Sequence, residues 1–293
     1  MITTASLRRV SVAAVAVSAL ALAGCSSSSS EGESSAEPTA TGGASAPAEA
    51  TLETFTEGKL TIATGEPAYE PWVVGDAPES GEGFEAAVAY AVAEELGFAA
   101  EDVVWVRTTF DSAIAPGAKD WDFNIQQFSI TDERRQAVDF SSPYYTTTQA
   151  VVSVEGNDLA SATSIADLEG AAVGVAVGTT SYDVAVEALG EDNVQVFNNV
   201  GDVVGALNAG QIDAFVTDLP GAFYSAAVEV EGGVIVGQFA GSEGGDEFGL
   251  VLPIGSALTA PVTSAVDALA ADGTLEALET EWLSEAVDVP VLQ

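Results

Sequence analysis

The sequence predicts an α/β protein whose sheets are mostly parallel and covered on both faces, and three observations predict it. Short apolar runs alternate with stretches of helical spacing from Lys59 to Leu283. The part after a low-complexity start, Glu57 to Gln293, holds 293 − 56 = 237 residues, enough for one large or two modest domains. Polar residues suited to small-molecule recognition fall just past predicted strands, where open α/β sheets bind ligands.

Taken in order, Lys59 to Thr64 alternates apolar and polar residues as a strand does, and Gly65, Pro67 and Pro71 then mark a loop carrying Glu66, Tyr69 and Trp72. Phe84, Val88, Ala91, Val92 and Leu96 lie on one side of a helix closed by Gly97, with Glu94 and Glu95 off that side. Val103 to Arg107 is a second strand with Phe110 at its exit. Trp121 to Gln126 is a third, and Gln127 to Arg134 leads away from it. A further strand covers Gln149 to Val154. Ala171 to Val177 is a strand ending in G-T-T-S-Y-D, with Ser181 as the expected cap of a helix reaching Leu189 and Gly190 as its stop. Val194 to Phe197, a short helix from Asp202 to Asn208, and Ile212 to Thr217 with Asp218 at its exit follow. Phe248 to Pro253 is the last strand. Two helices, Pro261 to Ala271 and Thr274 to Leu283, close the chain around Asp272-Gly273.

Ahead of this folded part lies a leader. Residues 1–25 give two arginines, an apolar run from Val10 to Ala23, then Gly24-Cys25, the order of a secretory signal and too short to span a membrane. L-A-G-C, from Leu22 to Cys25, resembles the bacterial lipobox, which implies cleavage before Cys25 and a lipid on its sulfur. Cys25 is the one cysteine, so no disulfide forms within a molecule. Residues 26–56 are mostly Ser, Glu, Ala, Pro, Thr and Gly, and are expected to form a disordered tether.

Charge and composition exclude several functions. Against 45 acidic residues stand 7 basic ones, of which Arg8 and Arg9 belong to the leader. No acid lies in residues 1–25, so the mature chain carries 5 − 45 = −40. Nucleic-acid binding is excluded on that balance, and attachment to a membrane has to come from the lipid rather than from the protein surface. With no histidine, and Cys25 taken by lipid, Ser-His triads, cysteine nucleophiles and the usual zinc ligands are absent.

The five remaining cations are Lys59, Arg107, Lys119, Arg134 and Arg135. Two stand together at the end of W-D-F-N-I-Q-Q-F-S-I-T-D-E-R-R, Trp121 to Arg135. A guanidinium grips a carboxylate or phosphate through paired hydrogen bonds, so this exit is a candidate anion site. A solvated turn whose arginines pair with surface acids fits the segment equally well. Glu66, Phe110, Thr179, Thr180 and Asp218 also follow strands, and each alone has a structural reading: loop acid, core ring, helix start or cap.

Ordered motifs then point to a family. S-I-T-D-E-R-R-Q-A-V-D-F-S-S-P-Y-Y, Ser129 to Tyr145, is joined by Y-E-P-W from Tyr69, G-F-E from Gly83 and F-D-S-A-I from Phe110. V-G-T-T-S from Val177, D-L-P from Asp218 and A-D-G-T-L-E from Ala271 complete the set. Over about Lys59 to Leu283 the chain resembles the extracellular solute-binding proteins of polar amino acid ABC transporters, family 3.

That resemblance implies a two-lobe, type II periplasmic-binding-protein-like α/β fold with two hinge crossings, at Gln149 to Val154 and Phe248 to Pro253. Lobe one would hold 57–149 plus 250–293 and lobe two 150–249. It further implies a monomer, without cofactor or metal, that binds an amino acid between the lobes and serves an ABC permease from the outer face of the cytoplasmic membrane. Arg134 would clamp the α-carboxylate, assisted by backbone N–H and hydroxyl groups around Ser129, Thr179 and Thr180. Asp218 would hold the α-ammonium, while Tyr69 and Phe110 would sandwich the side chain. Two departures bear on the ligand. Gln126 and Gln127 stand where many relatives have small Ser or Gly residues, with Phe128 following, and Glu66 stands where Asp is common in relatives that take basic amino acids. With two acids and one cationic clamp, the expected ligand has a neutral polar or cationic side chain. The alternatives are a secreted enzyme on the same scaffold, similar to cyclohexadienyl dehydratase and using Glu66 as an acid, or a ligand-sensing module.

Overall fold

A computed structural model describes residues 52–239, 245–283 and 289–293. The leader, the lipidation candidate Cys25 and the tether through residue 51 lie outside the described residues. The first half of the chain forms β1 (Leu60–Gly65), α1 (Phe84–Glu95), β2 (Val103–Thr108), α2 (Phe110–Ile114), β3 (Phe123–Asn124), β4 (Val138–Thr147) and β5 (Gln149–Val154). The middle gives β6 (Val173–Ala176), α3 (Thr180–Leu189), β7 (Val194–Phe197), α4 (Val200–Asn208), β8 (Ala214–Asp218), α5 (Leu219–Tyr224) and β9 (Gly233–Phe239). Then come β10 (Asp246–Pro253), α6 (Thr259–Ala271), α7 (Thr274–Trp282) and β11 (Val291–Leu292).

Two mixed sheets organise two lobes. The first runs β2-β1-β3-β10-β4, with β1 parallel to both its neighbours and β10 antiparallel to β3 and β4. The second runs β11-β9-β5-β8-β6-β7, with β6 parallel to β7 and β8, and β5 antiparallel to β8 and β9. Every residue of β1 is buried, as expected of a central strand covered on both faces. On one face of the first sheet, Leu60, Ile62, Phe123, Phe248 and Leu250 pack with Phe84, Val88 and Val92 of α1 and Val262 and Val266 of α6. In the second sheet the side-chain alternation of β5 feeds two cores. Val151 joins Val173, Val175 and Val216 with Ala185 and Leu189 of α3, whereas Ala150 and Val152 join Phe215 with Val203 and Leu207 of α4.

Several details differ from the sequence reading. β4 is a ten-residue strand that S-S-P-Y-Y concealed, because proline removes a ladder donor. Pro143 is tolerated there because β4 is an edge strand, with register shifts against β10 around Gly249. β9 was hidden by its glycines; a Cβ on Gly237 would come within 2.7 Å of Leu292 on the adjoining β11. Residues 149–154 lie in the second sheet and 248–253 in the first, so the chain changes sheets at Thr148, between β4 and β5, and again between β9 and β10. β11, near the C-terminus, pairs in the second sheet rather than the first. Residues 52–56, assigned to the tether from their sequence, belong to the folded body: Leu52 packs on the first core and the Phe55 N–H donates to Asp122 Oδ1 at 2.6 Å.

Candidate ligand-binding cleft

At the first sheet change Gln149 of β5 stands opposite Asp218, the last residue of β8, while Thr147 of β4 stands opposite Asp246, the first of β10. This register brings strand ends of both lobes to one place. A cavity of about 220 Å³ opens there, lined from lobe one by Glu66, Tyr69, Phe110, Gln126, Gln127, Ser129 and Arg134, and from lobe two by Thr179, Thr180 and Asp218, among others. A space of this size suits one small molecule.

Ten of the eleven binding residues expected from the sequence therefore line one cavity. Phe128 does not. It is fully buried, with its ring centre 4.6 Å from that of Phe110 in the second core of lobe one. It packs behind the wall, where it supports Phe110 instead of lining the cavity.

Arg134 occupies a one-turn helix after the S-I-T segment, and Thr131 Oγ1 accepts its backbone N–H at 3.1 Å. The side chain is 8% exposed. Nη1 donates to the Ser129 carbonyl at 2.7 Å and Nη2 to the Gly178 carbonyl of lobe two at 2.9 Å, with the guanidinium 5.2 Å from the centre of the Phe110 ring. These bonds use two of the five guanidinium N–H groups and leave three. Burial lowers the pKa of this group, opposed by the negative charge of Asp218, Asp246 and Asp183. Gly178 has φ +71°, a left-handed conformation that favours glycine at this approach of the lobe-two backbone. Arg135 is exposed. Lys59 and Arg107 are paired elsewhere, with Asp102 and Asp76, each at 2.6 Å.

Across the cavity α3 begins. Thr179, not Ser181, is its N-cap: the Thr179 hydroxyl accepts the Tyr182 N–H at 3.3 Å and donates to the Ala176 carbonyl at 2.8 Å. Ser181 is buried and donates to Gln149 Oε1 at 2.6 Å. The first turn of α3 leaves backbone donors facing the cavity that Arg134 also enters, and both favour an anion.

Asp218 makes no cap bond to α5, so helix capping does not explain it. Its Oδ1 accepts from Gln149 Nε2 at 2.7 Å, and the carboxyl keeps part of its surface open. Burial and the neighbouring Asp246 charge push its pKa up to about 7, with the Gln149 hydrogen bond and Arg134 acting the other way.

Three further residues shape the cleft without a clear mark in the sequence. Glu85, on α1, is fully buried; its Oε1 accepts the Gln127 backbone N–H at 2.7 Å, and the Tyr144 hydroxyl and the Gln127 side-chain amide also donate to it. These contacts hold Gln127 at φ 49°, a left-handed conformation, and turn its donors away from the cavity. Burial pushes the Glu85 pKa up to about 7. Asn199 caps α4 and accepts from the Tyr69 hydroxyl at 3.1 Å, while the Gly201 N–H donates back to that hydroxyl at 3.2 Å, a contact between the lobes at the cleft edge. Asp246 links Gln149 and Thr180, each at 2.7 Å. Helical spacing could have found Glu85, which shares a stripe with Val88, Ala89 and Val92; nothing local marks Asp246.

Residues 60–285 match the model of the bacterial extracellular solute-binding proteins, family 3. The chain is 30% identical over 258 residues to the L-arginine-binding protein of Pseudomonas aeruginosa, which is 83% of this chain and 95% of that protein. It is 36% identical over 138 residues to a probable histidine-binding protein of Campylobacter jejuni, 46% of this chain and 51%, about half, of that relative. Among solved structures, an ancestral arginine-binding protein bound to glutamine aligns with a TM-score of 0.66 at 32% identity, covering 78% of this chain and 100% of the other.

Proposed function

Because the chain belongs to the bacterial extracellular solute-binding proteins of family 3, we propose that it captures a free amino acid between its lobes and delivers it to an ABC permease. The observation that carries this reading is the pairing of one buried cation with one half-buried acid in a single small cavity, Arg134 against Asp218. A zwitterion supplies the complement of both. Its carboxylate meets the free Arg134 donors, two at most at once, and the first turn of α3, and its ammonium meets Asp218. Hydrogen bonds to charged groups contribute about 1.5–3 kcal/mol each, and a closed cleft keeps water from competing for them.

The side chain then lies between Tyr69 and Phe110, against Gln126, Gln127 and Glu66. With Glu66 and Asp218 lining the cavity and Arg134 committed to the α-carboxylate, an acidic side chain lacks a partner. A neutral polar or cationic amino acid is the favoured ligand. Contacts between the lobes, from Arg134 to Gly178 and from Tyr69 to Asn199, suit a shape that closes over its ligand and is read by a membrane partner.

Lipid on Cys25 would hold the protein at the outer face of the cytoplasmic membrane, with the following residues as a tether. Cys25→Ser is expected to release the protein into the medium, and retention at the membrane contradicts the anchor. A thermal-shift panel of the amino acids and small amines tests the binding reading. A ligand at 100 times its Kd stabilises by about 2.7 kcal/mol. Arg134→Ala is expected to abolish the hit, costing roughly 2–5 kcal/mol of affinity. An unchanged hit refutes the clamp, and turnover of prephenate or arogenate would favour an enzyme instead.

A further inference from the structure

Asp246 is not among the cavity-lining residues, yet Thr180 and Gln149, and through them Ser129 and Asp218, trace back to it. It opens β10 in lobe one, and its Oδ2 accepts from two lobe-two groups, Thr180 Oγ1 and Gln149 Nε2, both at 2.7 Å. Counting protons fixes the direction of the whole network. A carboxylate only accepts, and a threonine hydroxyl has one proton to give. Thr180 gives that proton to Asp246. The 3.2 Å contact between Ser129 Oγ and Thr180 Oγ1 therefore runs from Ser129 to Thr180, and Ser129 turns only lone pairs toward the cavity. The Gln149 N–H groups are likewise used up, one on Asp246 and the other on Asp218 at 2.7 Å, while its carbonyl accepts from Ser181 at 2.6 Å. Asp218 receives that single N–H from Gln149 and keeps its remaining acceptor sites for a ligand.

We infer that Asp246 is a positioning residue of the cleft: by taking the Thr180 proton and one Gln149 proton, it sets Ser129 and Asp218 as a pair of acceptors for an ammonium group. This rests on the amino-acid reading and sharpens it, since a ligand with an uncharged acceptor in place of the ammonium would find no donor there. A purely structural role, a tie across the sheet change, would alter stability without distinguishing one ligand group from another. The arrangement also carries a signature in pH. Asp218 is faced by Arg134, Asp246, Glu85, Tyr144 and Tyr145, and the charge of Asp246 is one cause of its raised pKa. Removing that charge moves the titration of Asp218 down.

The test compares wild type with Asp246→Ala and Thr180→Val by calorimetry. The probes are the tightest binder of the amino-acid panel and its α-hydroxy acid counterpart, which keeps the carboxylate and side chain but has one proton to donate where the ammonium has three. Both variants are expected to weaken the amino acid by roughly ten- to hundredfold and the hydroxy acid by clearly less. In Asp246→Ala the pH below which amino-acid binding weakens is expected to fall from about 7. Equal losses for the two probes, or an unmoved pH profile in Asp246→Ala, overturn the positioning role and leave the function standing. Failure of the wild type to bind any amino acid overturns the functional reading and this inference with it. Should Asp246→Ala not fold, Thr180→Val decides through the ratio of the two affinities.

Discussion

Glu85 lies at the start of α1 behind the lobe-one wall, Asp218 at the end of β8 in lobe two, and burial pushes each carboxyl up to about 7. Their surroundings differ in what is left over. Glu85 is 0% exposed and already receives a backbone N–H, a side-chain amide and a tyrosine hydroxyl. Asp218 receives the Gln149 amide, keeps some surface open to the cavity, and has a second carboxyl, Asp246, nearby. A raised pKa marks burial in both places. The unfilled acceptor sites are what distinguish a group waiting for a ligand from one that holds a wall in shape.

The largest effects should come from exchanging each acid for its amide. Asp218→Asn removes a buried charge that a ligand would neutralise, so affinity should fall by roughly 2–5 kcal/mol while the ligand-free Tm at pH 8 rises. Glu85→Gln should do the reverse: an amide cannot satisfy all three donors, so stability should drop by about 1–3 kcal/mol, with the smaller effect on affinity. Calorimetry and thermal unfolding on both variants read the exchange. A loss of affinity in Glu85→Gln as large as in Asp218→Asn would erase the contrast.

Titration separates the two acids next. The folded Glu85 keeps its proton to about pH 7, whereas its ordinary value is 4.5. The folded state thus holds more protons in that window, and folding stability should decline as pH rises across it. Asp218 contributes in the same sense from 3.8 to about 7. Ligand affinity should run the other way, weakening by up to about tenfold per pH unit below 7, because an ammonium requires the ionised Asp218. Asp218→Asn should flatten the affinity profile, and Glu85→Gln should leave it in place.

Smaller effects are expected at the cleft edge and on the surface. Tyr69→Phe removes the hydroxyl that joins Asn199 and Gly201, a change of about 0.5–1.5 kcal/mol that stopped-flow measurements should find in the release rate rather than in association. Arg135→Ala, at an exposed position beside Arg134, should change affinity by less than about 0.5 kcal/mol. A loss equal to that of Arg134→Ala would mean that the two arginines act by general charge.

Much of this site was legible in the sequence because its parts sit at strand exits. Arg134, Thr179, Thr180, Asp218 and Glu66 each follow an apolar run, and periodicity located β1, α1, β5, β6 and β8 closely enough to bring them together. What escaped depends on partners distant in the chain. β4 carries Pro143, which is permitted only by its edge position, a property of the sheet and not of the segment. Glu85 looked like one more helix acid, although its spacing placed it among buried neighbours, unlike the exposed Glu94 and Glu95. Asp246 lies 66 residues from Thr180 and 97 from Gln149, so only the register of β4 with β10 and of β5 with β8 reveals it. Phe128 escaped as well: Gln126, Gln127 and Ser129 around it line the cavity, but Gln127 takes a left-handed conformation at φ 49° that nothing local marks, and the Phe128 ring packs in the core.

Recognition of a zwitterion by Arg134 and Asp218 is the proposed basis of binding. Its most direct test is calorimetric titration with the tightest-binding amino acid and with the α-carboxamide of that same amino acid, which keeps the ammonium and side chain but lacks the carboxylate charge. Wild type should lose roughly 2–5 kcal/mol of affinity for the carboxamide, and Arg134→Ala should bind both forms with similarly weak affinity. Equal and tight binding of both by the wild type would contradict the account.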